Sequence, residues 1–394
     1  MSALLARRLP ILNRVASVCV RSLSTHRSPD FGFALDVDGV IVKGDSVIPE
    51  AVEALKKLNG ENKWNKKIPY VFLTNGGGLT EEAKAADLAS KIGFEVTKEQ
   101  IILSHSPLKA WSRRYEEEPV LVIGRDACKE VAHSYGFKKV LLTEDVYALN
   151  RHVKPFHHPR EVNKTNISTV GHTDRISAIM AFHDSWDWGM DLQIMFDLLT
   201  THTYSRIGQK APPHSSTDIS LRPSEDLALF FTNGDFTYSS IYPSPRFAGG
   251  ALGVCLESLY ERWWKNHGCQ AAKAAGVTLP TPKDGGSMLE SHFKVHHYGK
   301  PEVPTYDYAK DMLKRHSARI DETSVINTVY GVGDNPASDI DGANRAGWHS
   351  VLVKTGIFQT ESDNLSGIVP KTISENLLEA VEFAFEEFEK KQSP

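Results

Sequence analysis

Long apolar runs are missing from this chain: nowhere do about 18 such residues follow one another, the length a bilayer-spanning helix needs, so no transmembrane segment is expected. Cysteine is scarce. Cys19, Cys128, Cys255 and Cys269 include no CxxC pair, which argues against a structural zinc site and against a disulfide framework. Net charge is small, -4 over 394 residues, so nucleic acid is not an expected partner. No repeat of fixed period is present either. What remains is an ordinary globular composition, 41% hydrophobic and 24% charged, with room for two or three domain-sized cores.

Acid is also missing at the amino terminus. Before Asp30 the chain carries Arg7, Arg8, Arg14, Arg21 and Arg27 and no Asp or Glu. On a helix Arg7, Arg14 and Arg21 form a stripe, with Leu5, Leu9, Leu12, Ala16 and Cys19 opposite, although Pro10 would kink that helix or start it late. An Arg-rich amphipathic segment followed by "RSLSTHRS" is expected to be a mitochondrial transit peptide over residues 1–29, processed near Leu23, which directs the protein to the matrix. Arginines break every apolar run there, so a secretory signal is disfavoured and the sequons at Asn163, Asn166 and Asn364 carry no weight. His292, His296 and His297 lack a partnering Glu or Cys, and are read as ordinary polar histidines rather than metal ligands.

Further along, strands and helices alternate. "FGFALDVDGVIV" is an apolar strand ending in two acids and a glycine, and "EAVEALKKLN" follows as a helix with Ala51, Leu55 and Leu58 on one face. "IPYVFLTNGGG" is a second buried strand stopping at Thr74, followed by a helix opened by Thr80 and closed by Gly93. This βαβα order predicts an α/β fold with a doubly wound parallel, Rossmann-like sheet. Residues 105–295 repeat the pattern with "PVLVIG", "KKVLLT", "ISAIMAF" and "LALFFTNG", interrupted by two polar, proline-bearing loops. After residue 296 the first pattern resumes, with a glycine, Lys300 and a proline before a helix, then a strand ending at Gly333-Asp334. One core is thus expected from residues 30–104 and 296–394, with an α/β unit inserted into it.

If the strand ends converge, Asp36, Asp38, Asp334 and Asp339 share one crevice at the carboxyl edge of a parallel sheet, where open sheets bind ligands. Carboxylates so crowded require a cation. A hard divalent ion with oxygen ligands, Mg²⁺, meets that need, and Lys300 adds a second positive charge. Thr74 supplies a hydroxyl donor and the glycines after it free backbone N–H groups for an oxyanion. Such a pocket accepts a phosphoryl group, one carboxylate attacking it and a second, two residues on, protonating the leaving group. The repeat of Thr-Asn-Gly at residues 74–76 and 232–234 has a plainer reading, two strands that each end in a turn.

"LDVDGV", "FLTNGGG", "YGKP" and "GVGDNPASDIDGANRAGW" resemble, in order, the four motifs of the haloacid dehalogenase-like hydrolase superfamily. The insert between the second and third motifs is similar to the cap domain of class IIA members. "HDSWDWGMDLQ" and "TNGDFTYSSIYPSPRFAGGALG" resemble the mitochondrial group of cat eye syndrome critical region hydrolases within that class. Carried over to these positions, the resemblance implies that Asp36 is the nucleophile forming an aspartyl-phosphate and Asp38 the general acid and base. It implies Asp36, Asp38, Asp334 and Asp339 as the Mg²⁺ set, and Thr74 and Lys300 holding the transferring phosphoryl oxygens, with Asn75 and Gly76 beside the substrate. Asn233, Asp235 and Arg246, in the cap, would face the leaving group. The acid at position 38 argues against dehalogenase activity.

The expected function is therefore Mg²⁺-dependent hydrolysis of a small or headgroup-sized phosphomonoester. A phosphotransferase using the same intermediate, or a binding protein with an idle site, are the alternatives. The class resemblance also implies a homodimer built through the cap. The insert is longer than the compact class IIA cap, so no substrate is borrowed from other members.

Overall fold

The computed structural model describes residues 28–156, 175–200, 227–238, 242, 244–270, 282, 286–364 and 367–392. The leader with its arginines, the sequons at Asn163 and Asn166, and most of the two polar loops lie outside the described residues.

Two parallel sheets organise the chain. The first has six strands: β1 (Phe31–Leu35), β2 (Tyr70–Leu73), β3 (Ile101–Ile102) and, much later, β9 (Thr328–Gly333), β10 (His349–Val353) and β11 (Thr372–Ser374), in the order β11-β10-β9-β1-β2-β3. Every neighbouring pair is parallel. A parallel sheet is covered on both faces, which is why β1 and β2 are buried at every position rather than at alternate ones. Alternation survives as a choice between two cores. Phe31, Phe33, Leu35, Tyr70 and Phe72 join α1 (Pro49–Leu58) and α7 (Leu377–Lys390) on one face. Ala34, Val71 and Leu73 point to the other, against Tyr306, Ala309 and Leu313 of α6 (Val303–Ile320). Local signals fix the ends of helices: Pro49 opens α1, while in α2 (Glu81–Ile92) the Thr80 hydroxyl accepts from Ala83 N–H at 3.2 Å and Gly93 closes it at φ 76°.

The second sheet has five parallel strands in the order β8-β7-β6-β4-β5: β4 (Val120–Ile123), β5 (Val140–Leu141), β6 (Ala178–Ala181), β7 (Ala228–Phe231) and β8 (Lys294–His297). One face packs on α3 (Ala127–Tyr135), the other on α4 (Trp188–Thr200) and α5 (Gly249–Trp263). Several elements went unread in the sequence, among them β3, β11 and α7 of the first unit and β8, α4 and α5 of the second. Strand β8 is an edge strand with no fully buried position, so it lacks an apolar run, and it carries the second sheet past residue 296, across the expected return to the first. Helix α4 is apolar around much of its girth, which hides its periodicity, and α5 begins on Gly249-Gly250, a poor helix signal.

Candidate active site

Each acid of interest stands where a strand of the first sheet ends. Asp36 follows β1 directly, its N–H donating to Val332 O at 2.9 Å. Asp334 follows β9, its carboxylate accepting from Ile357 N–H at 2.6 Å, and Gly39 and Gly356 leave the space it fills, where a Cβ would collide with it. Asp339 lies on the single turn 336–340, which Asn335 caps by accepting from Ala337 N–H at 3.0 Å. Its Oδ2 accepts from Asn335 N–H at 3.0 Å, and the Tyr306 hydroxyl donates to the carbonyls of Ser338 and Asp339 at 3.0 and 3.1 Å. These bonds aim Asp339 back across the crevice.

Lys300 joins the set from the segment that returns from the second sheet. Its Nζ donates to Asp36 Oδ1 and to Asp339 Oδ1, both at 2.6 Å, with all three side chains buried. Burial pushes the Asp36 carboxyl well above its ordinary range; Lys300 pulls against this, and the charges of Asp339, Asp334 and Asp38 push it further. Asp334 is pushed up to about 7, by burial first and then by Asp339. For Lys300 burial opposes the charge, but Asp339 and Asp36 outweigh it and hold the ammonium well above its usual range.

Carboxylate oxygens of Asp36, Asp334 and Asp339 lie within 4.8 Å of one another. Three buried acids facing one ammonium leave the cluster short of positive charge. An all-oxygen donor set of this kind suits a hard divalent cation such as Mg²⁺, so the residues present fit that ion. Asp38 stands apart: its side chain is exposed and lies outside the triangle.

Thr74, buried at the end of β2, accepts from Gly76 N–H at 2.9 Å, which leaves its own proton for an incoming acceptor. The N–H groups of Asn75 and Gly77 have no partner among the described residues. Asn75 bridges three segments: Oδ1 accepts from Lys300 N–H at 2.6 Å, and Nδ2 donates to Lys300 O at 3.0 Å and to Asp235 Oδ2 at 2.9 Å. The glycine triplet has a second reason beyond freeing N–H groups. A Cβ on Gly77 would strike Phe182 O, and Gly78, at φ 82°, lies against the His183 ring, so the end of β6 rests on this loop.

Of the residues expected to face a leaving group, Asp235 reaches the first sheet through Asn75, and burial raises its pKa. Asn233 is half-buried and accepts from Asp235 N–H at 2.9 Å, shaping the turn. Arg246 is exposed, its guanidinium 4.5 Å over the Tyr242 ring, and makes no contact with the acids.

A buried chain of hydrogen bonds behind the loop was not foreseen. Gly78 N–H donates to His105 Nε2 at 3.2 Å, and His105 Nδ1 lies 2.7 Å from the Tyr135 hydroxyl. Tyr135 donates to Glu81 Oε1 at 2.7 Å, and Ser106 and Lys109 complete the shell of that carboxylate at 2.5 and 2.7 Å. An acceptor at Nε2 fixes the proton on Nδ1, and burial drives the His105 pKa down to about 3, so the ring is neutral. No sequence pattern announces this chain, because its members come from three separate segments; the one local signal is the acid two positions after Leu79, at the start of α2.

Sequence models of two families match. One, described as haloacid dehalogenase-like hydrolase, covers residues 33–138, and the other, HAD-hydrolase-like, covers residues 297–380. The mitochondrial hydrolase YKR070W of Saccharomyces cerevisiae is 31% identical over 388 residues, covering 92% of this chain and 97% of that one. A cardiolipin synthase (CMP-forming) / mitochondrial hydrolase fusion protein of Schizosaccharomyces pombe is 33% identical over 367 residues, and the chain spans 54% of its length. The chain belongs to the haloacid dehalogenase-like hydrolase family. Its fold is similar to a possible sugar phosphatase of Cytophaga hutchinsonii, at TM-score 0.55 and 18% identity over 89% of this chain and 95% of that one. A p-nitrophenyl phosphatase of Archaeoglobus fulgidus is similar at TM-score 0.51 and 19% identity, over 90% and 100%.

Proposed function

We propose that the protein is a Mg²⁺-dependent phosphatase that hydrolyses a small or headgroup-sized phosphomonoester through a phosphate ester of Asp36. The observation that carries this reading is the Lys300 ammonium held at 2.6 Å from both Asp36 and Asp339, with Asp334 alongside, at the ends of parallel strands. Burying three acids and a lysine together costs stability, and a catalytic site is the reason to retain such a cluster.

Asp36 Oδ2 attacks phosphorus while the bond from phosphorus to the leaving oxygen breaks, and that oxygen takes a proton from the Asp38 carboxyl. Asp38 lies two residues on, with its side chain exposed. Water then attacks the same phosphorus, giving its proton to Asp38 as the bond to Asp36 breaks. Lys300 and the Thr74 hydroxyl stabilise the equatorial oxygens, with the N–H groups of Asn75 and Gly77 within the same loop. Asp36, Asp334 and Asp339, with the Asp38 carbonyl, would hold Mg²⁺, which when bound offsets the charge of the phosphoryl group.

We read the second sheet as the cap. The end of β6 against the glycine loop and the bond between Asp235 and Asn75 support that reading. A mitochondrial location is supported by the leader's arginines and by the names of the two fungal relatives. The testing experiment is phosphate release from a panel of metabolite and headgroup phosphomonoesters, with Mg²⁺ or chelator, for wild type and Asp36→Asn. Metal-dependent release lost in the variant is the expected result. No release from any ester by metal-loaded protein would end the phosphatase reading, and transfer to added alcohols in place of water would make it a transferase.

A further inference from the structure

Among the described residues six phenylalanine, tyrosine and tryptophan side chains are exposed, and five of them fall on two neighbouring segments of the insert. Trp186 follows β6; Phe236, Tyr238, Tyr242 and Phe247 follow β7, on or beside the hairpin of residues 237–238 and 246–247. They keep between 45% and 63% of their surface in solvent. The two segments adjoin, since the half-buried Trp188 lies 6.3 Å from Phe247, which lies 5.7 Å from Phe236. Their position relative to the crevice is fixed at both roots: His183, three residues before Trp186, lies on Gly78, and Asp235, next to Phe236, is bonded to Asn75. Ile357, whose N–H holds Asp334, is also exposed. A clustered apolar surface of this kind at the edge of a polar site marks an interaction surface.

Ring orientation narrows what it takes. Phe236 and Phe247 meet edge to face at 80°, and Trp188 and Phe247 are tilted by 31°, so no parallel slot is left for a planar ring. One face of Trp186 is covered by the Arg125 guanidinium at 4.7 Å and one face of Tyr242 by Arg246 at 4.5 Å. Ring edges and tilted faces contact flexible methylenes well and a stacked base poorly. We propose that this aromatic collar is the leaving-group subsite and that it selects phosphomonoesters whose leaving group carries an alkyl body. The inference rests on the phosphatase reading for the phosphate end alone; the collar is a separate surface with a separate test.

Butyl- and octylphosphonate separate the two, because carbon replaces the bridging oxygen and binding can be measured without turnover. With Mg²⁺ present and below micelle formation, calorimetry is expected to show octylphosphonate bound about tenfold more tightly, less than full burial of four methylenes gives because the collar stays partly wet. Phe236→Ser with Phe247→Ser removes that gain, and since both rings are exposed the fold is expected to be kept, as an unchanged melting temperature would check. kcat/KM for octyl over butyl phosphate should follow the same ratio. Equal affinity for the two phosphonates, a gain that survives in the double variant, or preference for phenylphosphonate over octylphosphonate overturns the collar. Chain-length-dependent binding without hydrolysis of any phosphate would keep the collar and sink the phosphatase, and hydrolysis without chain-length dependence would do the reverse.

Discussion

The tripeptide Thr-Asn-Gly ends a buried strand twice, at residues 74–76 and 232–234, and the two turns meet: Asn75 of the first donates to Asp235 beside the second at 2.9 Å. Both threonines are buried. Thr74 receives a bond from Gly76 N–H and keeps its proton, whereas Thr232 gives its proton to Ala181 O at 2.7 Å. Asn75 is spent on holding Lys300 by its backbone, and Asn233 only on closing its own turn. Identical residues in identical strand-end positions therefore differ in what they can offer a ligand. The neighbour at the next strand decides it: a carbonyl beside Thr232, a set of acids and an ammonium beside Thr74.

The sharpest way to break this contrast is at the acids on each side. Asp36→Asn is expected to lower kcat by about 10⁴-fold or more, since no other group replaces the attacking oxygen. Asp235→Asn keeps a partner for Asn75 and should stay within about tenfold of wild type. Comparable losses would mean that the insert's turn takes part in the chemistry. The threonines give the next largest separation. Thr74→Val is expected to cost about 10²-fold in kcat, the scale of one lost transition-state donor, and about 1 kcal/mol of stability for the acceptor that Gly76 N–H loses. Thr232→Val should leave kcat within about threefold and lower stability by about 1 kcal/mol, because the Ala181 carbonyl loses its donor. Measuring kcat and melting temperature for both variants checks the pair; reversed profiles would refute the assignment of roles.

Much of this was legible beforehand, and unevenly so. Strand β1, the turn after it, Thr80 and Gly93 could be read because each signal is local, an apolar run or a cap within four residues. The acids and Lys300 were legible as residue types at strand ends, since a parallel sheet brings its carboxyl edge together whatever the intervening sequence. Asp235 reaching Asn75 was not, nor was the bond chain from Gly78 to Glu81. Those contacts depend on how the second sheet sits on the first, which no local pattern encodes. The glycine triplet shows both sides: the sequence reading assigned it to free N–H groups, and packing of β6 against Gly77 and Gly78 is an equal physical reason for it.

The bond chain sharpens the comparison, because it stands behind the turn at Thr74 and reaches it through Gly78. His105 is a positioning residue: it holds Gly78 N–H and ties it to Tyr135 in the insert. His105→Leu is expected to lower kcat about five- to tenfold with KM within about twofold, a loosened loop rather than a lost contact. His105→Gln is the informative partner, since its amide can accept from Gly78 and donate to Tyr135 as the neutral ring does. Recovery of kcat in the Gln variant, at equal melting temperatures for the two, supports positioning. Equal kcat in both would leave His105 only a packing role against Phe182.

The smallest effect lies at the far end of that chain and carries a definite sign. Burial alone would raise the Glu81 pKa, but Lys109, Ser106 and Tyr135 outweigh burial and leave it below its ordinary value of 4.5. A carboxylate depressed in the folded state stabilises the fold fully above the unfolded value, and that contribution disappears as the pH falls through the folded one. Glu81→Gln cannot ionise, so it lacks the pH-dependent part at every pH. It should melt about 2–4 °C lower than wild type at pH 7, from about 1 °C per kcal/mol in a chain of this size and about 1.5–3 kcal/mol for a lost bond to a charged group. That gap should stay level down to about pH 5 and close below 4.5. A gap that widens on acidification would mean that the insert and the catalytic turn are not held together through an ionised Glu81, and the difference between the two Thr-Asn-Gly turns would then rest on the acids and Lys300 alone.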